Sequence, residues 1–164
     1  MKLSEMLLAE LDREMTTTRR LIERVPDDKL EFKPHEKSNT LGWLANHVVG
    51  LVRFPNFIAN GNGVDLTKFP RVPDVKTTDE LLSRLDANIA QAREAIAAVP
   101  DEAMGETWTL RMGDHVIFSQ ERWMVFRTFF MNHHIHHRAQ LSIYLRLNDV
   151  PLPGMYGPSA DEPL

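Results

Sequence analysis

An all-α protein is what this chain predicts: a four-helix bundle with a long crossover between helices 2 and 3 and a short hairpin before helix 4. Three observations point there. Four segments carry apolar residues at three- and four-residue steps, the spacing of one helix face. Pro26, Pro55 and Pro100 punctuate those segments where a helix should stop or bend. Strict alternation occurs in one place, between Trp108 and Phe118, and it is long enough only for a hairpin. At 164 residues, positions 1–164 suit a single domain with a real core.

The first helix is expected over roughly Leu3–Val25, with Leu7, Leu11, Met15, Thr18 and Ile22 inward and Pro26 as its stop. A polar linker with Phe32-Lys33-Pro34-His35 leads to Thr40, a suitable N-cap for the second helix. Pro55 should kink or end that helix near Phe54, although apolar spacing continues to Ile58. The connection from Asn60 to Lys76 is too long for a simple helical hairpin, which takes ~2–8 residues. It suits a crossover that leaves helices 2 and 3 parallel. Thr77 and Glu80 form a capping box for the third helix, which should run to Val99. Its end, Ile96-x-x-Val99-Pro100, repeats the Ile22-x-x-Val25-Pro26 ending of the first, which we read as the same helix-stop chemistry used twice. Gly113-Asp114 offers the hairpin turn, and the fourth helix is expected from Ser119 or Gln120 to about Asn148. A tail rich in Pro and Gly follows.

Composition excludes several functions. A net charge of −4 with no basic stripe argues against nucleic acid as a partner. The absence of cysteine excludes a disulfide scaffold, a thiolate nucleophile and a Cys-based zinc site. No stretch approaches the ~18 consecutive apolar residues of a membrane span, and the N-terminal residues lack the pattern of a signal peptide. A cytoplasmic location is the expectation, with no membrane partner.

Four of the seven histidines fall between His133 and His137. On a regular helix of about 100° per residue, Trp123, Phe126, Phe130, Leu141 and Tyr144 share a wedge of roughly 60°. His133 and His137 fall in or beside that wedge, one turn apart, as two ligands of one ion would be. His134 falls at the border near Arg127 and Arg138, and His136 on a flank with Val125, Phe129 and Ile143. On the second helix, His47 lies amid Trp43, Leu44, Leu51, Phe54 and Ile58. Taken alone, His47 fits a hydrogen-bonded core residue better than a ligand, and His133 with His137 fits a surface-lining pair as well as a site. Three inward imidazoles on two helices are harder to satisfy by hydrogen bonds alone, because each buried orphan costs ~1–3 kcal/mol. His35 and His115 fall in connections and are expected at the surface.

A divalent metal on His47, His133 and His137 is one reading of this trio, and hydrogen-bonded or surface-lining histidines are the other. Zn²⁺, Ni²⁺, Fe²⁺ and Cu²⁺ all suit three imidazoles. Three protein ligands leave a position for water or substrate. His-Glu-x-x-His is absent, since His134 stands where the glutamate would be, and no nucleophile elbow or phosphate loop occurs. Gln140 lies about 20° around the helix from His133, where it fits either a flank residue bonding solvent or a side chain holding a ligand or a bound water. Trp43, Phe126, Phe130 and Tyr144 are the expected walls of a pocket for a small-molecule substrate. No carboxylate is placed as a base; Asp161 and Glu162 would reach the site only through a folded-back tail.

Several motifs then carry a resemblance. They are Phe32-Lys33-Pro34-His35, Leu41-Gly42-Trp43-Leu44-Ala45-x-His47, His133-x-x-x-His137-Arg138-Ala139-Gln140-Leu141, Tyr144-Leu145-Arg146, and Tyr156-Gly157-Pro158-Ser159 with Asp161-Glu162. In this order they resemble the DinB/YfiT-like family over nearly the whole chain, with Ala139 where that family has Gly. The resemblance implies a four-helix bundle with a long crossover, often a homodimer. It also implies nickel or zinc on three histidines, matched here by His47, His133 and His137. Members of known activity include enzymes that use a low-molecular-weight thiol, bacillithiol transferases and a mycothiol-dependent isomerase. The implied function is therefore a metal-dependent thiol S-transferase or hydrolase that activates a thiol or water. A non-catalytic metal-binding stress-response protein and a dimeric interaction protein, with Val125, Phe129, His136 and Ile143 as its face, are the alternatives.

Overall fold

Thr40 and Thr77 open two helices as their residue type predicts. Thr40 Oγ1 accepts from the Trp43 N–H at 3.1 Å, and Thr77 Oγ1 from the Glu80 N–H at 3.3 Å. Glu80 reaches back to the Lys76 N–H at 3.1 Å, completing a box one residue wider than expected. These caps belong to a computed structural model that describes residues 2–163.

The described helices are α1 (Leu3–Ile22), α2 (Leu41–Leu51), α3 (Phe54–Ala59), α4 (Thr78–Ala98), α5 (Asp101–Met104), α6 (Arg122–Val125) and α7 (His133–Arg146). A π-helical stretch, Phe126–Asn132, joins α6 to α7 in one continuous rod. The strands are β1 (Gly63–Asp65), β2 (Thr107–Met112) and β3 (His115–Glu121), in sheet order β1-β2-β3. The chain is thus mostly helical with a small sheet, and the expectation of an all-α four-helix bundle needs correcting. The expected second helix breaks at Val52–Arg53 because Pro55 cannot continue it; Pro55 sits instead in the first turn of α3, where its missing N–H costs little. Ser119 and Gln120, expected to start the last helix, belong to β3. A short α5 also follows Pro100.

The expected hairpin is present, turning at Gly113-Asp114 with Gly113 at φ +60°. A third strand was not legible. β1, from the crossover, pairs parallel with β2 through Gly63↔Thr109, Val64↔Leu110 and Asp65↔Arg111. Asp65 fastens the two. Its Oδ1 accepts from the Gly113 N–H at 3.0 Å and from Thr67, and these bonds hold its carboxyl at about 2.

Side-chain contacts give the helix directions. Asp12 pairs with Arg93 and Arg19 with Asp86, so α1 and α4 are antiparallel. Asn88 bonds the Val49 carbonyl and Asn56 meets Gln91, so α4 runs parallel to α2 and α3, as the crossover predicts. Tyr144 reaches Asn39 while Phe129 packs on Phe54, so α2 and the last rod are antiparallel. The core lies between these elements: Leu11, Ile22, Leu41, Ile58, Leu85 and Trp108 are fully buried. Among the described residues, no helix is long and apolar enough to cross a membrane.

Arg122 holds the sheet to the helices. Its buried guanidinium donates to the carbonyls of Ile58, Gly61 and Ala103 and to Glu106. Gly63 is fixed by contact: a Cβ there would lie 2.4 Å from the Thr109 carbonyl oxygen. At Gly50, within α2, a Cβ would meet nothing within 4 Å. Gly63→Ala should therefore destabilise by ~1–3 kcal/mol through overpacking, whereas Gly50→Ala should stabilise by ~0.5–1 kcal/mol through helix propensity. Urea unfolding of the two variants checks this pair of opposite signs.

Candidate metal centre

The rod formed by α6, the π stretch and α7 decides which histidines go where. Each π turn takes an extra residue, so an inserted residue lags the helical phase by about 100°. Upstream, Arg122, Val125 and Phe126 are buried; downstream, His134, Arg138, Leu141 and Leu145 continue that buried side. The straight-helix reading is corrected accordingly. His134, expected at a border, is fully buried, whereas His133 and His137 are half-buried beside it. His136 is exposed, as are His35 and His115.

His133 and His137 face α2, where His47 meets them. The His133 and His137 rings are 4.7 Å apart at their centroids, and their Nε2 atoms approach to 2.9 Å. The His47 ring lies edge-on to His137 at 4.5 Å and to His133 at 5.6 Å. One nitrogen able to ligate a metal from each of the three falls within 4.8 Å of the others. Gln140 Oε1 accepts from His137 Nδ1 at 2.7 Å, which leaves the His137 Nε2 lone pair aimed at its neighbours. Trp43 stacks on His47 at 4.7 Å with ring planes 12° apart.

All three imidazoles are held neutral. Burial, followed by the charges His137 and His133 would carry, pushes His47 down to about 4. Burial is also the leading cause at His133, where His137 and His136 add to it and the Phe129 backbone opposes. At His137 burial again leads, against the Gln140 bond. Neutral imidazole is the ligating form. Two Nε2 atoms turned on each other have room for one proton between them or for a shared cation, and the donor set fits a divalent metal.

The other predicted residues separate. Phe126 and Phe130 lie in the core, and Tyr144 packs edge-on to Phe32 at 6.2 Å. Only Trp43 of the four expected pocket walls lines the cavity of about 710 Å³ that borders His47. The rest of that wall comes from the crossover, which periodicity cannot place. Asn46 ties the two: it bonds the Val75 N–H and carbonyl at 2.9 and 3.0 Å. Asp161 and Glu162 do not approach the histidines; they pair with Arg146 and with Arg20 and Arg24, securing the tail to α7 and α1. Of the flank suggested as a partner face, Val125 is buried and Phe129 packs on Phe54 and Phe118, while His136 and Ile143 are exposed.

A second polar cluster lies on the α1 side of the same rod. Arg138 donates to Glu14 Oε2 at 2.6 Å, to the Glu14 carbonyl at 2.9 Å, and to the Tyr156 hydroxyl at 2.8 Å. Tyr156 in turn donates to Glu14 at 2.7 Å. Thr18 Oγ1 lies 2.8 Å from His134 Nε2. Among the described residues His134 Nδ1 completes no hydrogen bond of ordinary geometry, and the Val48 backbone favours the protonated ring. The signal for this cluster was in the sequence: Glu14 falls with Leu7, Leu11 and Thr18 on an apolar helix face, where an unpaired carboxylate would be costly.

Comparison with known proteins agrees with this architecture. Residues 10–141 match the DinB superfamily. The chain belongs to the DinB superfamily. Its solved structural relatives include a DinB-like protein of Bacillus subtilis (16% identity, TM-score 0.70, covering 88% of this chain and 92% of that one). Another is a DinB-like protein of Bacillus cereus (18%, TM-score 0.70, covering 93% and 97%). A third is assigned to the DinB family in Exiguobacterium sibiricum (22%, TM-score 0.65, covering 91% and 93%). At these identities the likeness is one of fold. No curated protein matches the chain. The DinB match spans Trp43, His47, His133, His137 and Gln140, and stops short of Tyr144 and the tail.

Burial, followed by the Arg138 charge, pushes His134 of this DinB protein down to about 3. A histidine whose folded pKa is depressed stabilises above its unfolded value near ~6.5 and loses that contribution as pH falls toward the folded one. Metal-free protein should therefore lose stability between pH 6.5 and 4. In His134→Gln the slope should be shallower by up to ~1.4 kcal/mol per pH unit, one proton's worth. Urea midpoints across that range, with chelator present, measure it.

Proposed function

We propose that this DinB protein binds one divalent metal ion, nickel or zinc, through His47, His133 and His137, and is a metal-dependent enzyme. On this reading it brings a thiol or water against an electrophilic small molecule, as an S-transferase or hydrolase does. The observation that carries it is the meeting of His133 Nε2 and His137 Nε2 at 2.9 Å with His47 alongside, while Gln140 fixes the far side of His137. Hydrogen bonds alone satisfy such a trio poorly, and a shared cation satisfies it well. Bound there, a divalent cation supplies Lewis-acid chemistry to a nucleophile held beside it.

The residues of the chain do the remaining work. The all-imidazole set excludes none of the borderline metals but disfavours Mg²⁺ and Ca²⁺, which take oxygen ligands. Three protein ligands leave coordination open, the pattern of catalytic rather than closed structural sites. His47 stands at a cavity of about 710 Å³, a size that accepts a small organic substrate. Trp43 supplies an apolar face there and, by stacking on His47, fixes the ring's plane. Asn46 holds the crossover as the opposite wall.

Zinc and nickel titrations of the metal-free protein should show one site. Alanine at His47, His133 or His137 should weaken it by at least ~100-fold, and Gln140→Ala by ~10–100-fold, because it orients a ligand. His136→Ala, on an exposed neighbour, should leave affinity unchanged. The loaded protein is then assayed for conjugation of monochlorobimane to small thiols and for ester and amide hydrolysis. Tight binding without turnover would contradict the enzymatic half alone; binding that ignores the three substitutions would contradict the whole.

A further inference from the structure

The cavity beside His47 is lined by three arginines that make no ion pair among the described residues. Of the thirteen arginines, nine make ion pairs among the described residues. The four that do not are Arg13, Arg53, Arg71 and Arg84, and the last three line this one cavity. They arrive from separate places: Arg53 from the start of α3, Arg71 from the extended crossover, Arg84 from α4. Such convergence is not the by-product of one charged helix face.

Two of the three guanidinium groups are held in place. Arg53 donates to the Pro70 carbonyl at 3.3 Å, and its guanidinium lies 5.5 Å from the Phe69 ring centroid and 5.8 Å from that of Phe57. Arg84 donates to the Pro73 carbonyl at 2.7 Å. Each guanidinium has five N–H donors, so most remain for a ligand. Burial, then the Arg84 charge, lowers the Arg53 pKa, as expected of two cations held near each other. The acids nearby do not cancel them. Asp74 lines the cavity but pairs with no arginine, and Glu80, which feels Arg84, spends its carboxylate on Lys76 and Thr77 at the helix cap. Asn46 and His47 add neutral polar groups, and Trp43, Leu51, Phe54 and Phe69 make the rest of the wall apolar and aromatic.

We infer that this cavity binds a small organic anion, a carboxylate carried on an aromatic or apolar body, with Arg53 and Arg84 on the carboxylate and Trp43 against the body. A guanidinium fork matches a carboxylate bidentately, and an aromatic wall matches an apolar body. The anion then lies beside His47 as the substrate of the metal site; that assignment rests on the function proposed above, whereas the binding itself does not.

The test uses 2-naphthoate and neutral 2-naphthamide as probes, titrated calorimetrically into the full chain, once with chelator and once loaded with zinc. Naphthoate should bind at least tenfold tighter than naphthamide in both states, and the preference should shrink as salt rises. It should vanish in Arg53→Gln/Arg84→Gln and persist in Arg13→Gln, whose exposed, unpaired guanidinium lies elsewhere. Because Arg53 and Arg84 also fasten the crossover, Arg71→Gln, at an exposed side chain without a hydrogen bond, gives a second reading and should weaken naphthoate severalfold. Equal binding of the two probes, or a preference unchanged in both cavity variants, overturns the inference. So does displacement of naphthoate by an equal concentration of inorganic phosphate, which would mark a plain oxyanion site. Arginine-dependent naphthoate binding without any zinc binding would keep this site and remove the metal reading; zinc binding without naphthoate preference would do the reverse.

Discussion

The buried pair of Glu14 and Arg138 sets the rotation of the last helix, and the histidine site depends on that rotation. Both side chains are almost wholly enclosed, and their charges are matched by the Glu14 carbonyl, Thr18 and the Tyr156 hydroxyl. Turning the helix by one residue would strand a charge in the core, a loss of ~3–5 kcal/mol. With His134 and Arg138 thus committed to α1, His133 and His137, each one residue earlier, are committed to α2. One helix therefore carries two polar stripes with different fates: the inner one is enclosed and, apart from His134 Nδ1, met by partners on α1 and the tail, and the outer one is half-buried and faces α2.

The π stretch makes this arrangement possible. Without its extra residue, Val125–Phe126 and His134–Arg138 would point to different sides of the rod. With it they share one buried side, and Phe129 turns onto Phe54, Phe118 and His133. π-helical insertions are frequent at functional sites. Here the physical reason is visible: the insertion lets one helix satisfy a core on one side and present the His133–His137 pair on another.

Much of this was legible in the sequence where local rules operate. Thr40 and Thr77 as caps, Gly113-Asp114 as the turn, Pro55 as a break and the crossover before Lys76 all follow from single residues or short spacings. The pairing of His133 with His137 followed from a four-residue step that survives because both lie beyond the π stretch. What was not legible depends on partners distant in sequence. β1 becomes a strand only because β2 lies beside it. His134 reads as a border residue until the phase shift is known. Phe126 and Phe130 were assigned to a pocket by a straight-helix phase, and that phase fails between them and the histidines. The true wall, Arg53, Phe69 and Arg84, combines three segments that no periodicity connects.

The chemistry follows from this division of labour. Neutral imidazoles at His47, His133 and His137 provide donors without charge, and no carboxylate among the described residues joins the three. X-ray absorption of the zinc-loaded protein tests the central claim most directly, because it counts the donors. The account predicts three imidazoles at ~2.0–2.1 Å, completed by exogenous light atoms, with the imidazole count falling to two in His47→Ala. A shell of carboxylate oxygens, or an imidazole count that His47→Ala leaves unchanged, would contradict it.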